Sequence, residues 1–163
     1  MANGVDQPNQ GELSVGGFTP LSCQQILDSF DFTPDNSSGK PSWSRYCQME
    51  AGVYEYPTLE FVQGLGNYLT SRMVEMGDRI QGPIRMLEVA AGRGLLSALV
   101  AKVIEKNGVA YTSHAVDDGS EPRWYKGESF SETLDFREAI QKYEPHIIIG
   151  AWLPQSRHGV NLE

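Results

Sequence analysis

The apolar residues of this chain recur at two spacings, and these spacings predict helices and strands in alternation. Between residues 58 and 76 they recur every three or four positions, which predicts a long helix that ends before Gly77. Residues 84–89 then form a short, mostly apolar run, as expected for a strand buried on both faces. The apolar positions of the long helix are Val62, Leu65, Leu69, Met73 and Met76.

The same alternation continues through the rest of the chain, where turn-forming residues separate the later elements. The predicted elements are, in order, a helix from Leu95 that ends at Asn107-Gly108, a strand over 109–116, a weak strand near 128–134, a helix from Asp135 through Tyr143 with capping-box spacing, and an apolar strand over 146–153 that ends at Pro154. This order predicts an α/β fold with an open, mostly parallel, Rossmann-like sheet of about four strands.

Three regions are predicted along the chain. Residues 1–19 are rich in Gly, Asn and Gln and hold little to bury, so we expect a disordered lead. Residues 20–82 are predicted to form a helical N-terminal extension, and its first helix begins with a capping box of Ser22 and Gln25. Residues 83–163 are the predicted Rossmann-like domain. The predicted apolar face of the first helix consists of Ile26, Leu27 and Phe30.

Charge and cysteine content narrow the class of protein. The chain has 163 residues, enough for one domain, and a net charge of −8 from 13 basic and 21 acidic residues. The sequence lacks the stripe of basic residues that would indicate nucleic-acid binding. It also has no segment with the pattern of a secretory signal or a membrane span. Cys23 and Cys47 lie far from any metal-ligand spacing. We therefore predict free thiols, no metal site and an intracellular, cytoplasmic protein, with a nuclear location left open.

The glycine-containing turn after residues 84–89 is the strongest candidate for a ligand site. Gly92 and Gly94 allow a sharp turn, and the helix that follows presents unpaired N–H groups. A dinucleotide site would have a third glycine where this chain has Ser97. It would also place Glu88 beside a pyrophosphate, which is unfavourable, whereas the same carboxylate beside an ammonium group is favourable. The turn therefore argues against NAD.

The segment Glu88-Val89-Ala90-Ala91-Gly92-Arg93-Gly94 resembles the first motif of the class I S-adenosylmethionine-dependent methyltransferases, (D/E)-x-G-x-G-x-G. Ala90 replaces the first glycine of that motif. The family's second landmark is an acid at the end of the second strand, which binds the ribose hydroxyls; Asp117 matches it, with Asp118 as a close rival. A third landmark is an acid near the adenine, which Asp135 resembles.

The resemblance extends over residues 84–155 and implies the cofactor S-adenosylmethionine. It places Trp152 and Pro154 on the substrate side, in the loop beside the transferred methyl group, where the N-P-P-Y sequence of amino-group methyltransferases is missing. Neither a catalytic residue nor the methyl acceptor can be named from this half of the fold. The implied cofactor-binding residues are Glu88, Ala90, Gly92, Gly94, Asp117, Asp118 and Asp135.

Most of these residues also have a purely structural interpretation. Glu88 could cap the backbone of the next helix, and the two glycines could serve the turn alone. The run Asp117-Asp118-Gly119 is a common turn sequence, and Asp135 is equally explained as a helix cap. Arg93 is predicted to be exposed rather than catalytic.

The methyltransferase fold usually has seven strands, whereas this chain ends at Glu163, shortly after the fourth predicted strand. The apolar strand 146–153 is then expected to have an uncovered edge, which favours pairing. Three explanations stay open: a fragment of a larger methyltransferase, a chain that pairs this edge with a second copy or a protein partner, and a degenerate relative without catalysis. The predicted function is therefore a methyltransferase-like protein or, alternatively, a non-catalytic interaction module.

Overall fold

The computed structural model describes residues 10–33, 38–47, 56–120 and 128–151. This part of the chain has an α/β fold whose four strands form one parallel sheet in the order β3-β2-β1-β4. That is the order of the first strands of a Rossmann-like sheet, so the predicted fold class is confirmed. After a short 3-10 helix at Gln10–Leu13, the elements are α1 Cys23–Ser29, α2 Trp43–Arg45, α3 Leu59–Gly77, β1 Ile84–Val89, α4 Leu95–Lys106, β2 Tyr111–Asp117, β3 Glu132–Thr133, α5 Phe136–Tyr143 and β4 Ile147–Ile149.

The strand register brings the carboxyl ends of the strands to one edge of the sheet. β1 pairs with β2 from Ile84 opposite Tyr111 to Val89 opposite Val116. β4 pairs with the later part of β1, and β3 pairs only with the last two residues of β2. Because all these pairs are parallel, the turns that follow β1, β2 and β3 meet at the same edge.

Helices cover both faces of the sheet. α3 and α4 form the larger core with one face of β1, while α5 covers Leu87 and Val116 on the other face. The predicted apolar face of α3 is confirmed, since Val62, Leu69 and Met73 are buried and the two remaining positions lie at its margin. None of the described helices is long and apolar enough to cross a membrane.

Helix α1 begins as predicted, but one of its apolar residues faces outward. Ser22 and Gln25 form the predicted capping box, and Ile26 and Phe30 are buried. Leu27, however, is 60% exposed. Ile26 and Phe30 are four positions apart and share one side of the helix, whereas Leu27 points about 100° away from Ile26 and misses the core.

The predicted disordered lead over residues 1–19 is wrong for residues 10–19. Leu13 is fully buried and Phe18 nearly so, both in the core beside α3 and α4. Gly16-Gly17 turns the chain with positive φ, and two backbone hydrogen bonds of 2.9 and 2.8 Å close that turn. Two anchors in a polar segment are too sparse to appear in its composition. Residues 1–9 lie outside the described part.

The later strands are shorter than the sequence predicts. β3 is limited to two residues within the predicted 128–134, and β4 comprises Ile147–Ile149 within the predicted 146–153. Strand pairing sets both lengths, because within the described sheet β3 pairs only with Val116 and Asp117 of β2, and β4 pairs only with residues 86–88 of β1. The last two residues of the predicted β4 lie outside the described residues.

Candidate functional site

The turn between β1 and α4 contains three residues in the left-handed backbone conformation. Ala90 has a φ of 51°, Gly92 of 56° and Gly94 of 74°. Glycine adopts this conformation without steric cost, whereas an L-residue such as alanine loses about 1–2 kcal/mol. Ala90 therefore holds a backbone conformation that favours glycine, at a cost in strain.

Asp117 at the end of β2 connects this turn to the next one. Its Oδ2 accepts a hydrogen bond of 2.9 Å from the Gly92 N–H, and its Oδ1 accepts one of 2.8 Å from the Gly119 N–H. The backbone of the same strand reinforces the connection, since the Val116 carbonyl accepts from the Ala91 N–H at 3.0 Å. Both carboxylate oxygens of Asp117 therefore stabilise the site itself.

Gly94 leaves room for the chain's own backbone. A Cβ at this position would lie 3.0 Å from the Phe130 carbonyl carbon and 3.1 Å from the Ser131 nitrogen. The Phe130 N–H donates to the Arg93 carbonyl at 2.7 Å, and the Ser131 hydroxyl donates to the Gly92 carbonyl at 2.5 Å. The close approach that the sequence attributed to a ligand is, at Gly94, made by residues 130–131. No local pattern in the sequence indicates this contact.

Glu88 lies beneath the turn and caps helix α4. Only 2% of the residue is exposed, and its Oε2 accepts a hydrogen bond of 3.0 Å from the Ser97 N–H. Because the N-cap residue Gly94 has no side chain, Glu88 satisfies a backbone donor in the first turn of the helix. Burial raises the pKa of the Glu88 carboxyl to about 7, against the opposing effect of the bond from Ser97.

Asp118 and Asp135 lie near Asp117 at the same edge. Asp118 is exposed, and the hydrogen bond of 2.9 Å from the Ser120 N–H lowers its pKa. Asp135 is the N-cap of α5, where it accepts from the Arg137 N–H at 2.8 Å rather than from the third helical residue that a capping box would use. The residue before it, Leu134, donates its N–H to the Asp117 carbonyl at 3.0 Å.

The remaining sequence predictions concern Arg93 and the two substrate-side candidates. Arg93 was expected to be exposed, which is wrong: it is only 6% exposed, and burial lowers the pKa of its guanidinium. The backbone explains this, because residues 130–131 pack directly on the turn that carries Arg93. Trp152 and Pro154, the substrate-side candidates, lie outside the described residues.

A groove of about 330 Å³ begins beside the turn and runs between α4 and β2. Small side chains such as Ala98, Ala101 and Ser113 line it, and Phe130 lies at its boundary. Among the predicted cofactor-binding residues in the described part of the chain, Gly94 alone contacts this groove. The same part contains no group of three or more His, Cys, Asp or Glu side chains that could hold a metal ion.

The fold and the turn together define a Rossmann-like α/β protein with a glycine-containing turn after its first strand. Comparisons with protein-family models, with curated proteins and with solved structures found no significant match. The resemblance to methyltransferases therefore rests on the sequence motif alone.

Proposed function

We propose that this protein binds S-adenosylmethionine at the carboxyl edge of its sheet and is methyltransferase-like. One observation carries the proposal: the left-handed turn after β1 is hydrogen-bonded to Asp117, Asp118 is the next residue, and Asp135 follows Leu134, whose N–H bonds to the Asp117 carbonyl. A backbone turn beside several carboxylates suits a ligand that has both an ammonium group and ribose hydroxyls. The methyl acceptor is left unassigned.

The proposed roles of the acids differ. Asp118 is exposed, and one of its oxygens accepts from Ser120, so its carboxylate can accept hydrogen bonds from a ribose without releasing the turn. Asp117 already accepts one hydrogen bond on each carboxylate oxygen, so a ribose would have to share those oxygens with the Gly92 and Gly119 N–H groups. Glu88 is a positioning residue in this scheme, because it supports the turn through α4 from a buried position.

When bound, the cofactor supplies an electrophilic methyl group on a sulfonium. Transfer by direct displacement depends mainly on holding the acceptor in line with that methyl group. The chain's own contribution is therefore to bind and orient, mainly through the carboxylates beside the turn, because the Gly92 N–H and the Gly92 and Arg93 carbonyls already bond within the chain. An acceptor that carries a proton would also need a base, and we assign none.

Calorimetry with S-adenosylmethionine and S-adenosylhomocysteine tests the proposal. We expect saturable binding of both by the folded protein, and no heat with either at high micromolar concentration would refute it. Asp118→Asn should weaken binding about ten- to 100-fold, since a hydrogen bond to a charged group contributes about 1.5–3 kcal/mol. Asp28→Asn, at an exposed position of α1, is the control and should bind as the wild type does.

Gly92→Val provides a second arm of the same test. A side chain at this left-handed position should abolish binding through steric exclusion, and circular dichroism would show whether the variant is still folded. Unchanged affinity in a folded Gly92→Val protein would mean that the ligand binds elsewhere.

A second candidate function, a non-catalytic interaction module, is favoured by strand β4. Within the described sheet β4 pairs only with β1, and Ile148 is 49% exposed. An open edge with apolar side chains favours pairing with a second copy or a protein partner. Sedimentation should then show a dimer or a complex that Ile148→Lys weakens, and a stable wild-type monomer would count against this candidate.

We also propose an intracellular, cytoplasmic location. Cys23 and Cys47 are both unpaired, as expected where thiols stay reduced. Fractionation of cells that express the tagged chain would test this, and recovery from the secretory fraction or the medium would contradict it.

A further inference from the structure

Four side chains on the α5 face of the sheet tie β3 to α5. The Tyr143 hydroxyl donates to the Glu132 carboxylate, and the Lys142 ammonium lies 2.7 Å from one oxygen of that carboxylate and 3.1 Å from the other. The His114 ring of β2 stacks on the Tyr143 ring, with centroids 3.7 Å apart and planes inclined by 14°. Glu132 is thus held by two residues of α5, one of which rests on His114.

The strand that carries Glu132 also carries the contact with the glycine turn. β3 is two residues long, and Ser131 and Phe130 come directly before it. These two residues hydrogen-bond to the Gly92 and Arg93 carbonyls of the turn. Ser131 is adjacent to Glu132, so the side chains that hold Glu132 lie next to the two residues that pack on the turn.

His114 is the group in this cluster whose charge changes near neutral pH. Burial lowers its pKa, Glu132 opposes that shift and the Lys142 ammonium adds to it. On β1, Arg85 is occupied by the carbonyls at the end of α5, with its Nε 3.1 Å from the Tyr143 oxygen and 2.8 Å from the Glu144 oxygen.

The sign of the pH effect follows from the direction of the shift. The pKa of His114 is lower in the stacked arrangement than in an open chain, where the ordinary value is 6.5. As the pH falls, His114 therefore takes up a proton more readily when its stack on Tyr143 is broken. His114 therefore stabilises the stacked arrangement fully above pH 6.5, and this stabilisation is lost as the pH falls below 6.5.

We propose that His114, Tyr143 and Glu132 form a pH-sensitive latch that holds Phe130 and Ser131 on the glycine turn at neutral pH and releases them in mild acid. The latch regulates access to the turn from one side of the sheet. It involves no bound ligand, so it can be tested whether or not the protein binds S-adenosylmethionine.

Nuclear magnetic resonance of the ligand-free protein between pH 7.5 and 5.5 tests the latch. The hydrogen-exchange protection factor of the Phe130 amide should fall several-fold as the pH is lowered, with the same midpoint as the titration of the His114 ring. Amides in the middle of α4 should keep their protection, which separates latch opening from global unfolding. A Phe130 protection factor that does not change with pH would overturn the proposal.

Three variants sharpen the test. His114→Phe keeps an aromatic ring on Tyr143 but cannot titrate, so protection of Phe130 should become independent of pH; persistence of the wild-type pH dependence would refute the role of His114. Tyr143→Phe keeps the ring stack and loses the bond to Glu132, so it should lower Phe130 protection at every pH, and unchanged protection would refute the link through Glu132. Tyr68→Phe, which removes an exposed hydroxyl on α3, is the control and should behave as the wild type.

Discussion

At the scale of single residues, Ala90 and Asp117 show how the glycine turn is held. Ala90 adopts a positive φ that favours glycine, and Asp117 accepts the N–H of Gly92. The position of Ala90 in the motif is visible in the sequence, but its strain is a property of the folded backbone. The partner of Asp117 lies 25 positions away in the chain, so local spacing predicted the acid and not its bond.

Replacing Ala90 by glycine should therefore stabilise the protein. Relief of the left-handed strain, less the greater flexibility of glycine in the unfolded chain, should raise the free energy of unfolding by about 0.5–1 kcal/mol. Urea denaturation followed by circular dichroism measures the change as a shift in midpoint. The neighbouring Ala91, which has no positive φ, is the control: Ala91→Gly should destabilise, and equal effects of both changes would contradict the assignment of strain to Ala90.

At the scale of elements, the contact between α3 and α4 depends on one glycine. A Cβ at Gly66 would lie 2.6 Å from the Val103 Cβ, closer than real side chains approach. The periodicity of α3 predicted which of its faces is buried, since that follows from residues three and four apart. Which residue of α4 faces Gly66 depends on how the two helices cross, and this is decided by packing.

Gly66→Ala should destabilise the protein although alanine is the better helix former. Forcing a methyl group against Val103 should cost about 1–3 kcal/mol, more than the gain in helix propensity of about 1 kcal/mol. The matched control is Gly64→Ala in the same helix, where a Cβ would contact nothing within 4 Å, and that change should stabilise. Thermal unfolding of the two variants compares them directly; a stabilised Gly66→Ala protein would show that the helices can separate without cost.

At the scale of the whole molecule, the sheet and α4 bury an acid between them. The sequence predicted the fold class and the bounds of β1, and it offered helix capping as one interpretation of Glu88. The depth at which Glu88 lies, and hence its raised pKa, results from the packing of α4 on the sheet. The free energy of unfolding of the whole protein should therefore depend on the protonation of this single carboxyl.

The Glu88 carboxyl should make the protein less stable as the pH rises. Its pKa is 4.5 in an unfolded chain and about 7 in the folded one, so its contribution is complete below 4.5 and is lost by about pH 7. At about 1.4 kcal/mol per pKa unit the loss is on the order of 3 kcal/mol. The difference in unfolding free energy between Glu88→Gln and wild type should therefore shift in favour of the variant across this range.

Urea titrations at several pH values between 4.5 and 7.5 measure that difference. Glu105→Gln, at an exposed position of the same helix, is the control and should give a difference from wild type that stays nearly constant with pH. A pH-independent difference for Glu88→Gln as well would contradict the burial of the carboxylate.

By itself, the sequence determined the order of helices and strands from α3 to β4, the position of the glycine turn and the caps at Ser22 and Asp135, because each of these depends on residues close together in the chain. Only the tertiary structure decided that residues 10–19 join the core, that Asp117 holds the turn and that residues 130–131 pack on Gly94. These contacts join segments far apart in sequence, and their partners are selected by the packing of helices on the sheet, which no local period encodes.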